Sequence, residues 1–313
     1  MIESVTVTNY LGEQVTMMLA RPESSGFVIT NIEGLGPVSA SINTTKVATN
    51  DGSMFNSALL DERNITMTLI FLDDGTRTVE EIRHESYKYF PIKRSVHLSI
   101  KTDNRILETD GYVESNEPVI FSAQEYTSIS IICPDPFFYS PRYNVTDFSN
   151  IYPNFEFPFG TVENLTDFEF DIAYDTTEST VVYEGDHEVG IEMGISFFDY
   201  AESVVLHNKT TNESMVIDVT RLSKKVPGFE SDPRFKQGDF ININTKRRNK
   251  SITLTRDGVE YNILNCLAKG TKWFTLSKGE NVFYFTADLD GEPGKGTKNV
   301  RLYIKNKIIY DGV

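Results

Sequence analysis

The segment GYVESNEPVIFSAQEYTSISIICPDPFFYS, residues 111–140, decides how this chain is organised. Within it, Ile129 and Ile131 alternate with serines, which is the period-two pattern of a half-buried strand. Pro134 and Pro136 follow at once, and a proline cannot donate the backbone hydrogen bond that a central strand requires. The sequence therefore predicts a pair of strands, then the end of one β-domain and the beginning of another.

The residues before this boundary show the patterns of short strands and of one helix. Thr78 and Glu81 have the spacing of a capping box, which predicts a helix that starts at Val79 and is stopped by Pro91. One helix among short strands favours a small β-barrel or split barrel, with the helix over an opening. Alternating apolar residues predict strands at Met1–Thr8, Phe27–Ile32, Ile65–Phe71, Val96–Ile100, Ile106–Val113 and Tyr126–Ile132.

One segment of this first half is long and polar. Residues Ser39–Asn64 are rich in Asn, Thr and Ser, and a structureless loop of this length inside a compact domain is usually functional. Its large apolar side chains are Met54, Phe55, Leu59 and Leu60. They either pack beneath the loop as a local hydrophobic staple, or they belong to an arm that packs on a neighbouring subunit.

The second half begins with a linker and continues as strands. The stretch Tyr139–Phe159 combines prolines with aromatic residues, which predicts a linker that follows the surface rather than a flexible tether. Many short strands predict an antiparallel β-sandwich, so we expect a mainly β protein with two domains, residues 1–140 and 141–313. The predicted strands are Ile191–Phe198, Ser203–Asn208, Glu213–Val219, Asp239–Thr245, Ser251–Arg256, Lys272–Leu276, Asn281–Ala287 and Asn299–Ile304.

The composition limits the possible partners. With 45 acidic and 30 basic residues, the net charge of −15 argues against a surface for nucleic acids or anionic membranes, because Lys and Arg supply most of that affinity. No segment approaches the roughly 18 apolar residues of a membrane span. The N-terminus lacks the basic and apolar regions of a signal peptide, so we expect folding in a cytoplasm. Cys133 and Cys266 are far apart in the sequence and are expected to stay reduced.

The residues that could bind metals or perform catalysis form no recognisable site. The three possible ligands in Asp186–Glu188 are adjacent, and neighbouring residues of a strand point to opposite faces. The stretch Asp288–Glu292 lacks the distant Glu of a calcium loop and is followed by Pro293 and Gly294, which predict a turn. The sequence contains no G-x-S-x-G nucleophile motif. Its Gly-rich stretches at residues 34–37 and 291–296 are not followed by the helix that a phosphate-binding loop requires. We therefore predict no catalytic residue, no bound metal and no cofactor.

Several segments, in order along nearly the whole chain, resemble the distal tail (Dit) proteins of long-tailed phages. Each segment alone is a weak indication of this family, but the occurrence of all of them in the family's order is a strong one. They are the exit formed by Cys133, Asp135, Pro136, Phe137 and Phe138; FVITNIEGLGP (27–37), a strand and a Gly-rich bend; GSMFNSALLDERNITMTLIF (52–71), a loop and a strand; the helix VEEIRHESYKYFP (79–91); and the C-terminal segments GDFININTKRRNKSITL (238–254) and WFTLSKGENVFYFTA (273–287).

This resemblance implies a fold and a role. The fold would be an N-terminal split β-barrel with one helix, followed by a galectin-like β-sandwich. The protein would form a homo-hexameric ring at the virion tail tip, between the tail tube protein and the tail-associated hub protein. Receptor-binding proteins or other peripheral components would dock on the second domain, and DNA would pass through the channel without specific binding.

A different class of function, a cell-wall or glycan-binding module of two β-domains, is the alternative. Galectins bind sugar through an H-x-N-x-R strand and a later W-x-x-E-x-R motif. Here His207 lies directly before Asn208, and Leu276 stands where the glutamate of the second motif belongs. A shared fold therefore does not transfer sugar binding. We expect Trp273, the single tryptophan, to anchor the core of the sandwich.

Overall fold

The computed structural model describes residues 1–46, 51–153, 171–175, 177–217, 219–222 and 226–313. The chain divides into two compact units, one formed by residues 1–142 with 309–313 and the other by residues 143–308. The sequence assigns the last five residues to the second domain, whereas the structure places them in the first unit. Whether residues 1–140 and 141–313 fold independently stays a prediction.

The first unit is a β-structure with one described α-helix, α1 (Val79–Tyr89). The strands predicted at its start, middle and end are present, and the structure adds strands that the sequence does not predict, such as the one at residues 14–18. In chain order they are β1 (Ile2–Asn9), β2 (Gln14–Met18), β3 (Phe27–Glu33), β4 (Ala40–Thr45), β5 (Met54–Leu60), β6 (Arg63–Phe71), β7 (Ser95–Thr102), β8 (Ile106–Val119), β9 (Tyr126–Cys133) and β10 (Phe138–Tyr139).

Seven of these strands form one antiparallel sheet in the order β2-β1-β7-β8-β9-β6-β3. The end strands β2 and β3 approach each other without a hydrogen-bonded ladder, which is the arrangement of a split barrel. Alternate side chains fill the interior: Ile65 lies opposite Ile131, and Met67 opposite Ile129, and all four are buried. The alternation of serine with Ile129 and Ile131 therefore corresponds to a strand that has one face in the core.

Helix α1 begins and ends where the sequence predicts. The Thr78 hydroxyl accepts the backbone N–H of Glu81 at 3.3 Å, and the Glu81 carboxylate accepts the backbone N–H of Thr78 at 2.8 Å. This reciprocal pair is the predicted capping box. Ile82 is fully buried and packs beside Gly26, so the helix contributes to the same core.

The second unit consists mainly of antiparallel strands. Most of its predicted strands are present, with small differences at their ends. The strands are β11 (Asn144–Asp147), β12 (Ser149–Pro153), β13 (Asp171–Asp175), β14 (Glu178–Tyr183), β15 (Val189–Gly190), β16 (Glu192–Phe197), β17 (Ser203–Asn208), β18 (Glu213–Ile217), β19 (Phe240–Asn244), β20 (Ser251–Arg256), β21 (Val259–Asn262), β22 (Thr275–Leu276), β23 (Gly279–Asp288) and β24 (Val300–Asn306). They form two main sheets, in the orders β11-β24-β16-β19-β20-β21 and β14-β23-β17-β18.

Aromatic side chains pack between these sheets. Phe148, which follows β11, meets Phe285 of β23 edge to face, with the ring centres 5.7 Å apart. The expectation for Trp273 is wrong, because its side chain is only half-buried while the neighbouring Phe274 is fully buried against Phe283. Adjacent residues of an extended segment point to opposite sides, so only one of the pair can enter the core. That the sandwich is galectin-like stays a prediction.

The segment predicted as a linker contains regular structure. Within Tyr139–Phe159, strand β11 pairs with β24, and β12 pairs with β13. The interpretation of this stretch as linker alone is therefore wrong, because its residues 144–147 complete an edge of the larger sheet. Residues 154–159 lie outside the described residues.

The C-terminus returns to the first unit. Its last strand, β25 (Ile309–Tyr310), pairs with β10, so that Phe138 lies opposite Tyr310. The backbone N–H of Val313 donates to the carbonyl oxygen of Leu35 at 2.9 Å. The described chain contains no helix with the length and hydropathy of a membrane span.

Candidate functional site

The long polar segment is a β-hairpin rather than a structureless loop. In the part of the chain that the structure describes, strands β4 and β5 pair only with each other, from Ala40 opposite Leu60 to Thr45 opposite Met54. The register shifts at Asn56, which has no partner on β4 and forms a β-bulge. The prediction of a structureless loop is wrong because the two strands form a ladder of their own. Residues 47–50, between the strands, lie outside the described residues.

The pairing register sorts the hairpin side chains into two faces, since directly opposed residues point to the same side of a ladder. One face is mostly apolar and carries Ile42, Phe55 and Leu60, and we call it the apolar hairpin face. Ile42 and Phe55 are each 63% exposed, and Leu60 is 43% exposed. Ile42 is not among the four apolar residues singled out from the sequence, although its alternation with Ser41 and Asn43 is a period-two signal.

The opposite face of the hairpin is mostly polar. The Asn43 amide donates to the Ser57 hydroxyl at 3.2 Å, and the Ser41 hydroxyl donates to the Asp61 carboxylate at 2.8 Å. Met54 and Leu59 belong to this face and are also exposed. The four apolar residues singled out in the sequence therefore do not pack beneath the segment as a staple, and they divide between two faces.

The base of the hairpin is fixed by a buried arginine, Arg63, the first residue of β6. Its side chain is 1% exposed, and its guanidinium group donates to backbone carbonyl oxygens on all sides. Nε donates to Pro136 at 2.7 Å, and Nη2 donates to Asp311 at 2.7 Å. Nη1 is shared by two further carbonyls, those of Gly34 and Gly36.

Arg63 therefore joins three chain segments that are distant in sequence. They are the Gly-rich bend before the hairpin, the Pro-rich exit after β9, and the C-terminal tail. The guanidinium group also lies 4.3 Å from the ring centre of Phe138, which is a cation–π contact. Burial lowers the pKa of the Arg63 guanidinium, but an arginine keeps its charge in proteins.

The Gly-rich bend needs its glycine at position 34. Gly34 has a φ of +81°, and a Cβ atom there would lie 1.9 Å from the backbone oxygen of Asn64. No side chain can be accommodated at that distance, because both atoms in conflict belong to the main chain or are fixed to it. The close approach of residues 34 and 64 brings the two ends of the hairpin segment together.

A second apolar feature of the first unit lies beside the C-terminal end of α1. It is an open depression lined by Tyr87, Phe90, Pro91, Ile92, Asn116 and Pro118. Near it in sequence, Phe121 lies between β8 and β9 and is 97% exposed. Together with the apolar hairpin face, these residues give the first unit several exposed large apolar groups, and such groups mark interaction sites where they form a continuous patch.

The residues weighed as possible ligands lie in turns. Asp186 and His187 form a bend, where the backbone oxygen of His187 accepts the hydroxyl of Tyr183 at 2.7 Å. The Asp288 carboxylate accepts the backbone N–H of Gly294 at 2.9 Å and so closes the turn after β23. Among the described residues, no three His, Cys, Asp or Glu side chains are grouped as metal ligands would be.

The two cysteines are buried and form no disulfide. Burial raises the pKa of the Cys133 thiol to about 11, against weaker opposing effects from Thr109 and Arg63. Since the thiolate is the reactive species, we expect Cys133 and Cys266 to resist a thiol reagent such as dithionitrobenzoate in the native protein. Both should react after unfolding in guanidinium chloride. Rapid labelling of either thiol in the folded state would contradict this description of the core.

Comparisons with known proteins agree with this geometry. Residues 22–149 match the family described as phage tail protein RIFT-related domain, a range that spans the Gly-rich bend, the hairpin, Arg63 and the Pro-rich exit. No curated protein matches the chain. Residues 22–149 therefore match a phage tail protein domain, which agrees with the family that the order of the motifs indicates.

Solved structures of similar fold extend this comparison to nearly the whole chain. The chain is similar to SPP1 Dit, described as a paradigm of the hub adsorption apparatus in phages infecting Gram-positive bacteria, with a TM-score of 0.55 and 14% identity. That match covers 97% of this chain and 99% of SPP1 Dit. A chain of the activated phage p2 baseplate matches with a TM-score of 0.46 and 13% identity, covering 99% of both chains. The match to SPP1 Dit shows that the two chains share a fold. The predicted mainly β class is confirmed.

Proposed function

We propose that six copies of this chain form a closed ring at the distal end of a phage tail tube. The ring joins the tube protein above to the tail-tip hub below, and it leaves a channel for DNA. Head-to-tail contacts between identical subunits close into a ring when the rotation between neighbours divides the circle. The phage tail domain in residues 22–149 and the Dit fold support this role.

The apolar hairpin face is the observation that carries the proposal. Ile42, Phe55 and Leu60 are exposed on a hairpin that pairs with no other strand among the described residues. Burying each of these side chains would contribute about 1.5–3 kcal/mol. We infer that the hairpin is an inter-subunit clamp, in which this face packs on the neighbouring copy. Met54 and Leu59, on the other face, would line the margin of the same contact.

The work of such a ring is mechanical rather than catalytic. The first unit would build the ring, and the second would carry the docking sites for peripheral or receptor-binding components. The ring would assemble in the host cytoplasm and remain at the tail tip of the virion. Arg63 supports this role because a clamp transmits force only if its base is held in one geometry, and four carbonyl oxygens hold this base.

Negative-stain electron microscopy of the purified full chain tests the proposal directly. We expect annular particles with sixfold symmetry and an open centre. Particles without a central opening, or with a different rotational symmetry, would contradict the hexameric conduit. The same grids prepared with a hairpin variant should show dispersed small particles, which controls for rings that arise from stain artefacts.

A conduit for DNA should not retain it. Basic side chains on a channel wall would bind phosphates by releasing counterions, and that affinity would oppose ejection. Since the chain has a net charge of −15, we expect a neutral or acidic channel wall and no measurable affinity for duplex DNA at physiological salt. A gel-shift titration of the assembled protein measures this. Salt-sensitive binding in the micromolar range would contradict the proposed channel but not the tail-protein assignment.

A further inference from the structure

A straight row of residues crosses one end of the six-stranded sheet in the second unit. Val145, Lys305, Glu192, Asn244 and Ser251 are direct neighbours across five strands, from β11 through β24, β16 and β19 to β20. Neighbouring strands lie about 4.8 Å apart, so the row is roughly 19 Å long. Val145 is 63% exposed, which places this face of the row at the surface.

Basic side chains are concentrated along this row and beyond the strand ends next to it. We call this group the basic ridge, and it consists of Lys246, Arg247, Arg248, Lys250, Lys305 and Lys307. Glu192 is the carboxylate that pairs with Lys246 and, at 3.0 Å, with Lys305. Within the described part of the chain, Arg247 and Arg248 are exposed and pair with no carboxylate.

Two aromatic rings lie among these cations. The Tyr143 ring centre is 4.8 Å from the ammonium group of Lys246 and 5.3 Å from that of Lys305. At the other end of the ridge, the ammonium group of Lys250 lies 5.4 Å from the ring centre of Trp273. Tyr143 is 38% exposed and Trp273 is half-buried, so part of each ring remains accessible to solvent.

Glu192 keeps the ridge ordered without neutralising it. Burial raises the pKa of the Glu192 carboxyl, but hydrogen bonds from Lys246 and Lys305 outweigh that effect, and the pKa is lowered. The hydroxyl of Tyr143 donates to the same carboxylate at 3.2 Å. Among the described residues, Glu192 is the one carboxylate that pairs with Lys246, Lys305, Arg247 or Arg248, so these four cations leave a local excess of positive charge on a chain whose net charge is −15.

We propose that the basic ridge binds a linear anionic polysaccharide. Cations spread along one end of the sheet match a chain whose charges recur along its length, and aromatic rings can pack against the apolar faces of sugar rings. The exposed amide of Asn249, between Arg248 and Lys250, can exchange hydrogen bonds with sugar hydroxyls. Duplex DNA suits the ridge less well, because it is a densely charged polyanion and would be repelled by any acidic groups of the protein within about 10 Å of it, the screening distance at 0.1 M salt.

The test uses the full-length protein and a fluorescein-labelled heparin oligosaccharide as a model of a linear anionic polysaccharide. We expect saturable binding by fluorescence anisotropy at low salt, with an affinity that falls as salt is raised. The double variant Arg247→Glu with Arg248→Glu should bind at least about tenfold more weakly, which corresponds to about 1.4 kcal/mol. Unchanged binding by that variant would overturn the proposal.

A matched control separates the ridge from net charge. Lys269 and Lys278 are exposed lysines of the same unit outside the ridge, and their joint replacement by glutamate changes the formal charge by the same amount. This control should bind like the unmodified chain. Equal losses in both variants would mean that net charge alone governs binding, and the ridge would then have no special role. If the Arg247 and Arg248 variant melts early, Arg247→Gln with Lys250→Gln serves in its place.

Competing ligands decide the chemical class. A neutral dextran oligosaccharide should not compete with the heparin probe, and poly-L-glutamate and a short DNA duplex should compete only at much higher charge concentration. Competition by poly-L-glutamate at equal charge would identify the partner as an acidic polypeptide. Equal competition by the duplex would identify it as a nucleic acid. Either result would overturn the polysaccharide proposal, independently of whether the protein forms a ring.

Discussion

Replacing Phe55 and Leu60 together by serine is expected to convert the ring into folded monomers. Both side chains lie on the apolar hairpin face, and each would forfeit about 1.5–3 kcal/mol of burial at every subunit contact. Because both are exposed in the single chain, the change should leave the thermal midpoint of the monomer nearly unaltered. Sedimentation velocity of the purified double variant measures the loss of assembly.

The opposite hairpin face provides the matched control. Met54→Ser with Leu59→Ser removes a similar apolar area from the mostly polar side and should leave a substantial fraction of rings. If the control dissociates completely and the Phe55 and Leu60 variant does not, the wrong face has been assigned to the contact. If both variants assemble like the unmodified chain, the hairpin is not the clamp.

Replacing Gly34 by alanine is expected to have the largest effect on the stability of the first unit. The new methyl group would lie 1.9 Å from the Asn64 backbone oxygen, at a φ of +81° that disfavours any side chain. Relief of this clash requires the bend to move away from β6 and from Arg63. We expect a loss of about 3 kcal/mol or more, which lowers the thermal midpoint by roughly 10 °C.

Gly36 is the matched control for that experiment. It lies two residues away, also offers its carbonyl oxygen to Arg63, and has no atom within 4 Å of the position of a Cβ. Gly36→Ala should therefore change the melting curve, followed by circular dichroism or calorimetry, by only a small amount. Similar midpoints for the two alanine variants would show that the close approach of residues 34 and 64 is not rigid in solution.

The features of the fold that sequence patterns predict are those encoded over short distances. The alternation around Ile129 and Ile131 marks a strand because neighbouring residues take opposite faces of a sheet. The capping box of Thr78 and Glu81 marks a helix start because both partners lie within one turn. Such signals need no knowledge of the rest of the chain, and the structure confirms them.

The features that the sequence does not predict depend on distant partners. In the sequence, Arg63 is one charged residue within a polar segment. Only the folded chain brings the carbonyl groups of Gly34, Pro136 and Asp311 around it. Strand β25 has too few residues to show a periodic pattern. Its position in the first unit therefore cannot be predicted from the local sequence. The choice between Trp273 and Phe274 as core residue depends on the position of the extended segment that leads into β22, because a shift of one residue would exchange the two sides.

For the hairpin, the sequence predicts some features and not others. Its apolar residues Met54, Phe55, Leu59 and Leu60 can be found from the sequence, but their division between two faces depends on the bulge at Asn56. A bulge adds one residue to one strand and changes which side chains lie together. The Asn and Ser residues of this segment weaken the strand pattern because both residue types are typical of turns.

The molar mass of the purified full chain, measured by multi-angle light scattering, tests the central claim most directly. The claim is that the apolar hairpin face holds six copies of the chain together. Six chains of 35.5 kDa give about 213 kDa for the ring. We predict that mass for the unmodified protein and 35.5 kDa for the Phe55→Ser, Leu60→Ser variant under the same conditions. A monomeric unmodified chain, or a variant that keeps the mass of the ring, would contradict the account.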